Sequence, residues 1–156
     1  MCFCGPAYSQ GQAPPAAAAP AAVPDQATLD KQFEETLSGS VLEGSFTVTG
    51  REDRIPKSEK YTIEKVSKLQ NDYWLFQARI QYGDRDVTLP LPLQVKWAGD
   101  TPVITLTDLM IPGLGTYTAR VVIYRDQYAG TWSASDHGGH LFGRVVKTPA
   151  EEKAKQ

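Results

Sequence analysis

The feature that most constrains this chain is a two-residue alternation of apolar and polar side chains, which begins near residue 41 and continues almost to the C-terminus. Its clearest example is 73–82, YWLFQARIQY, where Trp74 and Phe76 share one face and Gln77 lies on the other. This period is typical of a β-strand with one buried face. No helical stretches alternate with these strands, so the pattern excludes an α/β fold.

Similar alternating runs follow one another along the chain, separated by short turns rich in Gly, Asp and Asn. They predict about eight strands in an all-β domain that spans residues 25–148. Consecutive short strands of this kind favour an antiparallel meander that forms a closed or gapped barrel. A two-sheet sandwich is the alternative. In the second run, Val66 and Leu69 break the alternation, which indicates a bulge.

The run at 87–97, VTLPLPLQVKW, carries prolines at positions 90 and 92 between inward-facing apolar residues. Amides two residues apart point to the same side of a strand, so Pro90 and Pro92 remove consecutive donors from one ladder. We therefore expect one flank of this strand to be an edge, or to pair poorly with its neighbour.

A single short helix is predicted at 25–37, ahead of the strands. Asp25 or Thr28 can cap its N-terminus, and Gly39 suits the position just after its end. Leu29, Phe33 and Leu37 fall on one face at a spacing of four, so this face should pack against the strands and plug one end of the barrel.

The first residues are typical of the end of a secretory signal rather than of a folded domain. In 1–9, small residues at Ala7 and Ser9 occupy the positions that a signal peptidase prefers. Lipidation at Cys4 is the competing interpretation. Residues 10–24 form an uncharged Ala/Pro-rich linker, and the charged tail at 149–156 is expected to fray. These segments predict export to the periplasm or the exterior, with envelope tethering as an option.

Composition excludes several functional classes. The formal net charge of −2 gives no basic surface for nucleic acid or an anionic membrane. No apolar run approaches the ~20 residues that cross a bilayer, and no motif indicates a cofactor. Both cysteines lie at positions 2 and 4, so the domain itself contains neither disulfides nor thiolate metal ligands.

One short motif stands near the C-terminus. Gly130-Thr131-Trp132 forms a G-x-W unit, and Gly143 and Arg144 lie on the closing strand. With the meander, these residues resemble the calycin superfamily of small barrels, the lipocalins and avidins. The resemblance implies a barrel that binds a small molecule at its mouth.

The predicted inward faces are rich in aromatic residues. The candidate ligand-binding residues among them are Trp74, Trp97, Tyr117 and Trp132. One interpretation is an aromatic pocket for an apolar or sugar-like ligand. The other is a filled core, since small barrels often pack their interiors with large side chains.

The last predicted hairpin, at 128–143, holds both histidines of the chain, and its turn is predicted at 136–139. Asp136, His137 and His140 are candidate ligands for zinc, nickel or copper. The glycines at positions 138 and 139 are interpreted as turn residues that need a positive φ.

These observations favour a non-enzymatic, exported domain that binds a small ligand or a component of the cell envelope. A structural or protein-interaction domain with a packed core is the alternative, pairing through the proline-bearing edge or the 110–115 loop. A metal-dependent or hydrolytic enzyme comes third. The sequence does not determine the oligomeric state.

Overall fold

The structure, a computed structural model, describes residue 22 and residues 24–148. The predicted signal remnant, most of the predicted linker and the charged tail lie outside these described residues. The described part of the chain contains no helix with the length and hydropathy of a membrane span.

One helix and eight strands make up the domain. The elements are α1 (Gln26–Leu37), β1 (Ser40–Phe46), β2 (Lys57–Lys68), β3 (Tyr73–Tyr82), β4 (Arg85–Ala98), β5 (Thr101–Ile111), β6 (Gly115–Tyr124), β7 (Gln127–Ser133) and β8 (Gly138–Lys147). Each strand pairs antiparallel with the next, and β8 pairs with β1 to close the barrel. The predicted all-β meander with one N-terminal helix is confirmed, as a barrel and not a sandwich.

Helix α1 closes one end of the barrel. It begins where the Asp25 carboxylate accepts hydrogen bonds from the Thr28 amide at 3.2 Å and from its hydroxyl at 2.7 Å. Leu29, Phe33 and Leu37 are buried at spacing four, as predicted. Gly39 follows with φ 66°, a left-handed conformation that glycine adopts most readily.

The barrel therefore has two different ends, one covered by α1 and one not. The helix end holds α1, the beginning of β1 and the turns between β2 and β3, β4 and β5, and β6 and β7. The open end holds the other four connections, including the 134–137 turn between β7 and β8. Among the described residues, no helix covers the open end.

The prolines of β4 weaken one strand pairing. The Val95 amide donates to the Asp72 carbonyl at 2.8 Å, on the β3 side, so the nitrogens of Pro90 and Pro92 face β5. Strand β4 pairs with β3 along ten residues but with β5 only from Gln94 to Ala98. The predicted poor flank is confirmed. Residues 85–93 of β4 and 106–111 of β5 are not paired with each other. We call these two facing stretches the seam.

Two bulges adjust the strands. The one predicted in β2 is found between Ile63 and Lys65. A second lies in β5 at the seam, where Asp108 has φ 48°. There the Arg120 guanidinium donates to the Leu106 carbonyl and, at 3.0 Å, to the Thr107 hydroxyl. Arg120 thus supplies hydrogen bonds where the ladder is interrupted.

Two local predictions were wrong. The 110–115 loop is shorter than expected, because β5 continues to Ile111 and β6 begins at Gly115. Gly138 and Gly139 belong to β8 and have no positive φ. Crowding requires glycine there instead: a Cβ on Gly139 would lie 2.0 Å from the Thr47 carbonyl oxygen.

Candidate functional site

At the helix end, aromatic side chains form part of a packed core. The Phe33 ring of α1 lies edge-on to Trp74 at 5.0 Å and to Trp97 at 5.9 Å, measured between ring centroids. Trp74 is only 1% exposed, and Val66 and Val95 beside it in the core are fully buried. Two of the four candidate ligand residues, Trp74 and Trp97, therefore pack against the helix.

At the open end, a second aromatic group forms around Trp132. Its ring lies 5.8 Å from Phe46, 6.4 Å from Tyr117 and 5.3 Å from His137. Its indole nitrogen donates to the Thr47 carbonyl at 3.2 Å. The other two candidate ligand residues, Tyr117 and Trp132, therefore lie together, apart from Trp74 and Trp97.

Inward-facing side chains are more accessible at the open end than at the helix end. Most of the partly exposed side chains that pack against the core lie toward the open end: Phe46, Tyr61, Leu89, Leu106, Leu109, Leu114, Tyr117 and Trp132. They line the mouth and the inner side of the seam. The other members of this set, Trp97, Val121 and Val145, lie nearer the helix end. We call Phe46, Tyr117 and Trp132 the mouth aromatics.

A buried carboxyl group lies behind the mouth aromatics. Glu59 of β2 is 5% exposed, and its two oxygens accept hydrogen bonds from the Tyr61 hydroxyl at 2.7 Å and the Tyr128 hydroxyl at 2.9 Å. Among the described residues, no cation forms an ion pair with it. Burial raises the pKa of Glu59, while the two phenol hydrogen bonds act in the opposite direction.

Two glycines make the contact between Tyr128 and Glu59 possible. Gly44 of β1 and Gly143 of β8 face each other across the strands that close the barrel. A Cβ on Gly44 would lie 2.4 Å from the Tyr128 hydroxyl, and one on Gly143 would lie 2.7 Å from its ring. Tyr128 thus crosses β8 and β1 to reach Glu59 on β2. Burial and the nearby Glu59 carboxylate raise the pKa of Tyr128.

Sequence reasoning missed Glu59. The charged stretch at 50–57 predicts a loop, and the sequence predicts the second strand only from Tyr61 onward. Extending the alternation back from Ile63 and Tyr61 by two residues would have placed Glu59 on the inward face. The signal in the sequence is an acidic residue at an inward-facing position of a strand whose other inward-facing residues are apolar.

The predicted metal ligands lie at the rim of the open end. His137 Nδ1 is 2.5 Å from Asp136 Oδ1, and this contact lowers the pKa of the Asp136 carboxyl. The His140 side chain is exposed, between the buried Gly139 and Leu141 of β8. Within the part of the chain that the structure describes, no three His, Cys, Asp or Glu side chains form a metal-binding group. Metal binding at this turn stays a prediction.

Two shallow depressions lie on the outer surface near the helix end. One, of about 540 Å³, is lined by Leu69, Gln70 and Tyr73. The other, of about 340 Å³, lies between α1 and the β6–β7 turn, against residues that include Gln32 and Arg125. Neither is lined by a candidate ligand residue.

No protein-family description matches this chain, and comparison with curated proteins and with solved structures gives no match. The resemblance to calycins therefore stays a prediction. The functional argument depends on the geometry of the barrel interior.

Proposed function

We propose that this chain is a non-enzymatic barrel domain that binds a small apolar or sugar-like ligand at its open end. One observation carries the proposal: the mouth aromatics at this end are partly exposed, whereas Phe33 and Trp74 at the helix end are buried. Apolar surface left accessible inside a concave wall is typical of ligand sites.

The residue types at the mouth support this class of ligand. Trp132 and Tyr117 offer ring faces and edges for apolar groups or for the C–H faces of a sugar. The Trp132 indole nitrogen is already bonded to Thr47, which fixes the ring in position. Trp74 and Trp97 then serve the fold instead of the ligand.

Export of the domain is part of the proposal, on the evidence of the leader-like sequence at 1–9. Those residues lie outside the described part of the chain. Mass spectrometry of the N-terminus of protein taken from its own cells tests it: a mature chain that starts near residue 10 supports export, and an intact residue 1 in the cytosol contradicts it.

Ligand binding can be tested with a neutral apolar probe, N-phenyl-1-naphthylamine, whose emission rises on transfer from water to an apolar site. We expect saturable binding to the native protein. Trp132→Leu should weaken it about tenfold, equivalent to ~1.4 kcal/mol, because the variant removes a wall of the site. Native mass spectrometry of protein purified from its own compartment would reveal a retained natural ligand.

The matched control is Phe142→Leu, an aromatic residue of β8 that is 46% exposed on the outside of the barrel. Its affinity for the probe should equal that of the wild type. Loss of binding in Phe142→Leu but not in Trp132→Leu would move the site to the outer surface. Absence of any saturable binding would favour a packed interior.

A protein-interaction domain is the second candidate, favoured by the seam. The prolines leave 85–93 of β4 unpaired with β5, and Met110 on β5 is 67% exposed. Unpaired strand edges beside exposed apolar side chains are typical sites of association. Concentration-dependent sedimentation that Met110→Ser abolishes would support this candidate over the first.

A further inference from the structure

Among the described residues, no cation lies beside the Glu59 carboxyl group to neutralise its charge when it is ionised. The two phenols satisfy both carboxylate oxygens as hydrogen-bond acceptors, but they bring no positive charge. None of the ion pairs found among the described residues includes Glu59. A buried carboxylate is energetically unfavourable without a cation nearby.

The mouth aromatics separate this carboxylate from the open end. Glu59 pairs with Gly44, and Phe46 pairs with Lys57, so Phe46 lies one inward position closer to the mouth than Glu59. The Phe46 ring then contacts Trp132 edge-on, at 5.8 Å between centroids. A ligand seated against these rings would lie on the open side of the Glu59 carboxylate.

The geometry points to an organic cation, an alkylammonium or arylammonium group, as the ligand class of the open end. This inference rests on the proposed function and narrows it. Aromatic faces attract cations, and the attraction grows where water is excluded. A cation bound at the rings favours the ionised form of Glu59, and the carboxylate then attracts the cation from behind the rings, in a region where electrostatic interactions are weakly screened.

Lys57 is the basic residue that lies nearest to the mouth aromatics in the strand register, because it pairs with Phe46. It is the first residue of β2, and its side chain is exposed at the rim. Exposed amines are well screened by water, so Lys57 should reduce cation binding only slightly. Lys57→Gln is expected to raise the affinity for a cation by less than about threefold.

Two probes of nearly the same shape separate charge from size. Phenyltrimethylammonium carries the positive charge, and tert-butylbenzene replaces its nitrogen by carbon. Both are titrated into the full chain at neutral pH, with binding followed by tryptophan emission or calorimetry. We expect the cation to bind at least about tenfold more tightly than the neutral probe, a difference within the range of cation–π and charge contributions.

Glu59→Gln keeps the size of the side chain and removes its charge; its amide oxygen accepts from one phenol, and its NH2 group donates to the other, whose hydroxyl must turn. The preference for the cation should fall below about twofold in this variant, while binding of tert-butylbenzene is unchanged. The matched control is Glu43→Gln, on the neighbouring strand, where the exposed carboxylate pairs with Lys60 at 3.4 Å. The wild-type preference should persist there.

The outcomes separate this inference from the proposed function. Equal binding of both probes by the native protein, or a preference that survives Glu59→Gln, overturns the inference and leaves an apolar site standing. Absence of binding by either probe overturns both. The comparison of probes on the native protein needs no variant, so it decides the inference even if Glu59→Gln folds poorly.

Discussion

The two ends of this barrel place the same kind of side chain in different surroundings. At the helix end, Phe33 seals Trp74 into a dry core. At the open end, Trp132 packs against Phe46 and Tyr117 but stays partly exposed. The difference is the covering element, since α1 covers only one end. Whether an inward-facing aromatic residue is covered by α1 therefore depends on the end of the barrel at which it lies.

The largest effect on stability is expected from truncating the α1 side chain that covers the helix end. Phe33→Ala should lower the free energy of unfolding by ~3–5 kcal/mol, because it leaves a cavity between two tryptophan rings. Denaturant unfolding followed by tryptophan emission measures the change. Phe142→Ala, on the outer face, should change stability by less than ~1 kcal/mol. Similar losses in both variants would show that α1 does not seal the core.

A second prediction tests the contact that crosses the closing strands. Gly143→Ala places a Cβ 2.2 Å from the Glu43 carbonyl oxygen and 2.7 Å from the Tyr128 ring, so we expect a loss of ~2–3 kcal/mol from overpacking. Gly83→Ala, at φ 52° with open space around it, should lose only ~1 kcal/mol from backbone strain. Thermal unfolding of both variants gives the comparison. Equal losses would mean that the β1 backbone and Tyr128 both move aside freely.

The third prediction concerns pH. The pKa of Glu59 is raised above its ordinary value of 4.5, so the folded state binds the proton more tightly than the unfolded state. Stability should therefore fall as pH rises from 4.5 through the folded-state pKa.

This dependence can be measured by urea unfolding from about pH 5 upward, where the exposed aspartates with lowered pKa values are ionised in both states. Glu59→Gln should remove the fall, since amides do not titrate in this range. Glu43→Gln should retain it. The same pH dependence in the wild type and in Glu59→Gln would contradict the assignment, because any rise due to Glu52, whose pKa is lowered, is common to both proteins.

The smallest effect is expected at the seam. Pro92→Val restores an amide that points toward β5, and the gain of one hydrogen bond is offset by greater freedom of the unfolded chain. The net change in stability should lie within ~1 kcal/mol. Amide exchange is the sharper measurement: protection of the restored amide at position 92 would show that proline alone keeps the strands apart. Fast exchange would assign the separation to the bulge at Asp108 instead.

Sequence reasoning located the strands well because the alternation is local. The 73–82 run and the proline argument at 90 and 92 both depend on neighbouring residues, and the structure confirms both. It misjudged Gly138 and Gly139, because the reason for glycine there is the Thr47 carbonyl, which belongs to a distant segment. It also grouped Trp74 with Trp132, since period two gives the face of a strand but not the end of the barrel.

The sequence by itself therefore determined the class of fold, the capped helix and the weak flank of β4, since each follows from local periodicity or from the chemistry of single residues. The tertiary structure decided which side chains contact each other inside the barrel. Tyr128 and Glu59 are 69 residues apart, and only the pairing of β8 with β1 brings them together over Gly44 and Gly143. The physical reason is that closure of the barrel is set by the sum of many long-range pairings, which no short stretch of sequence specifies.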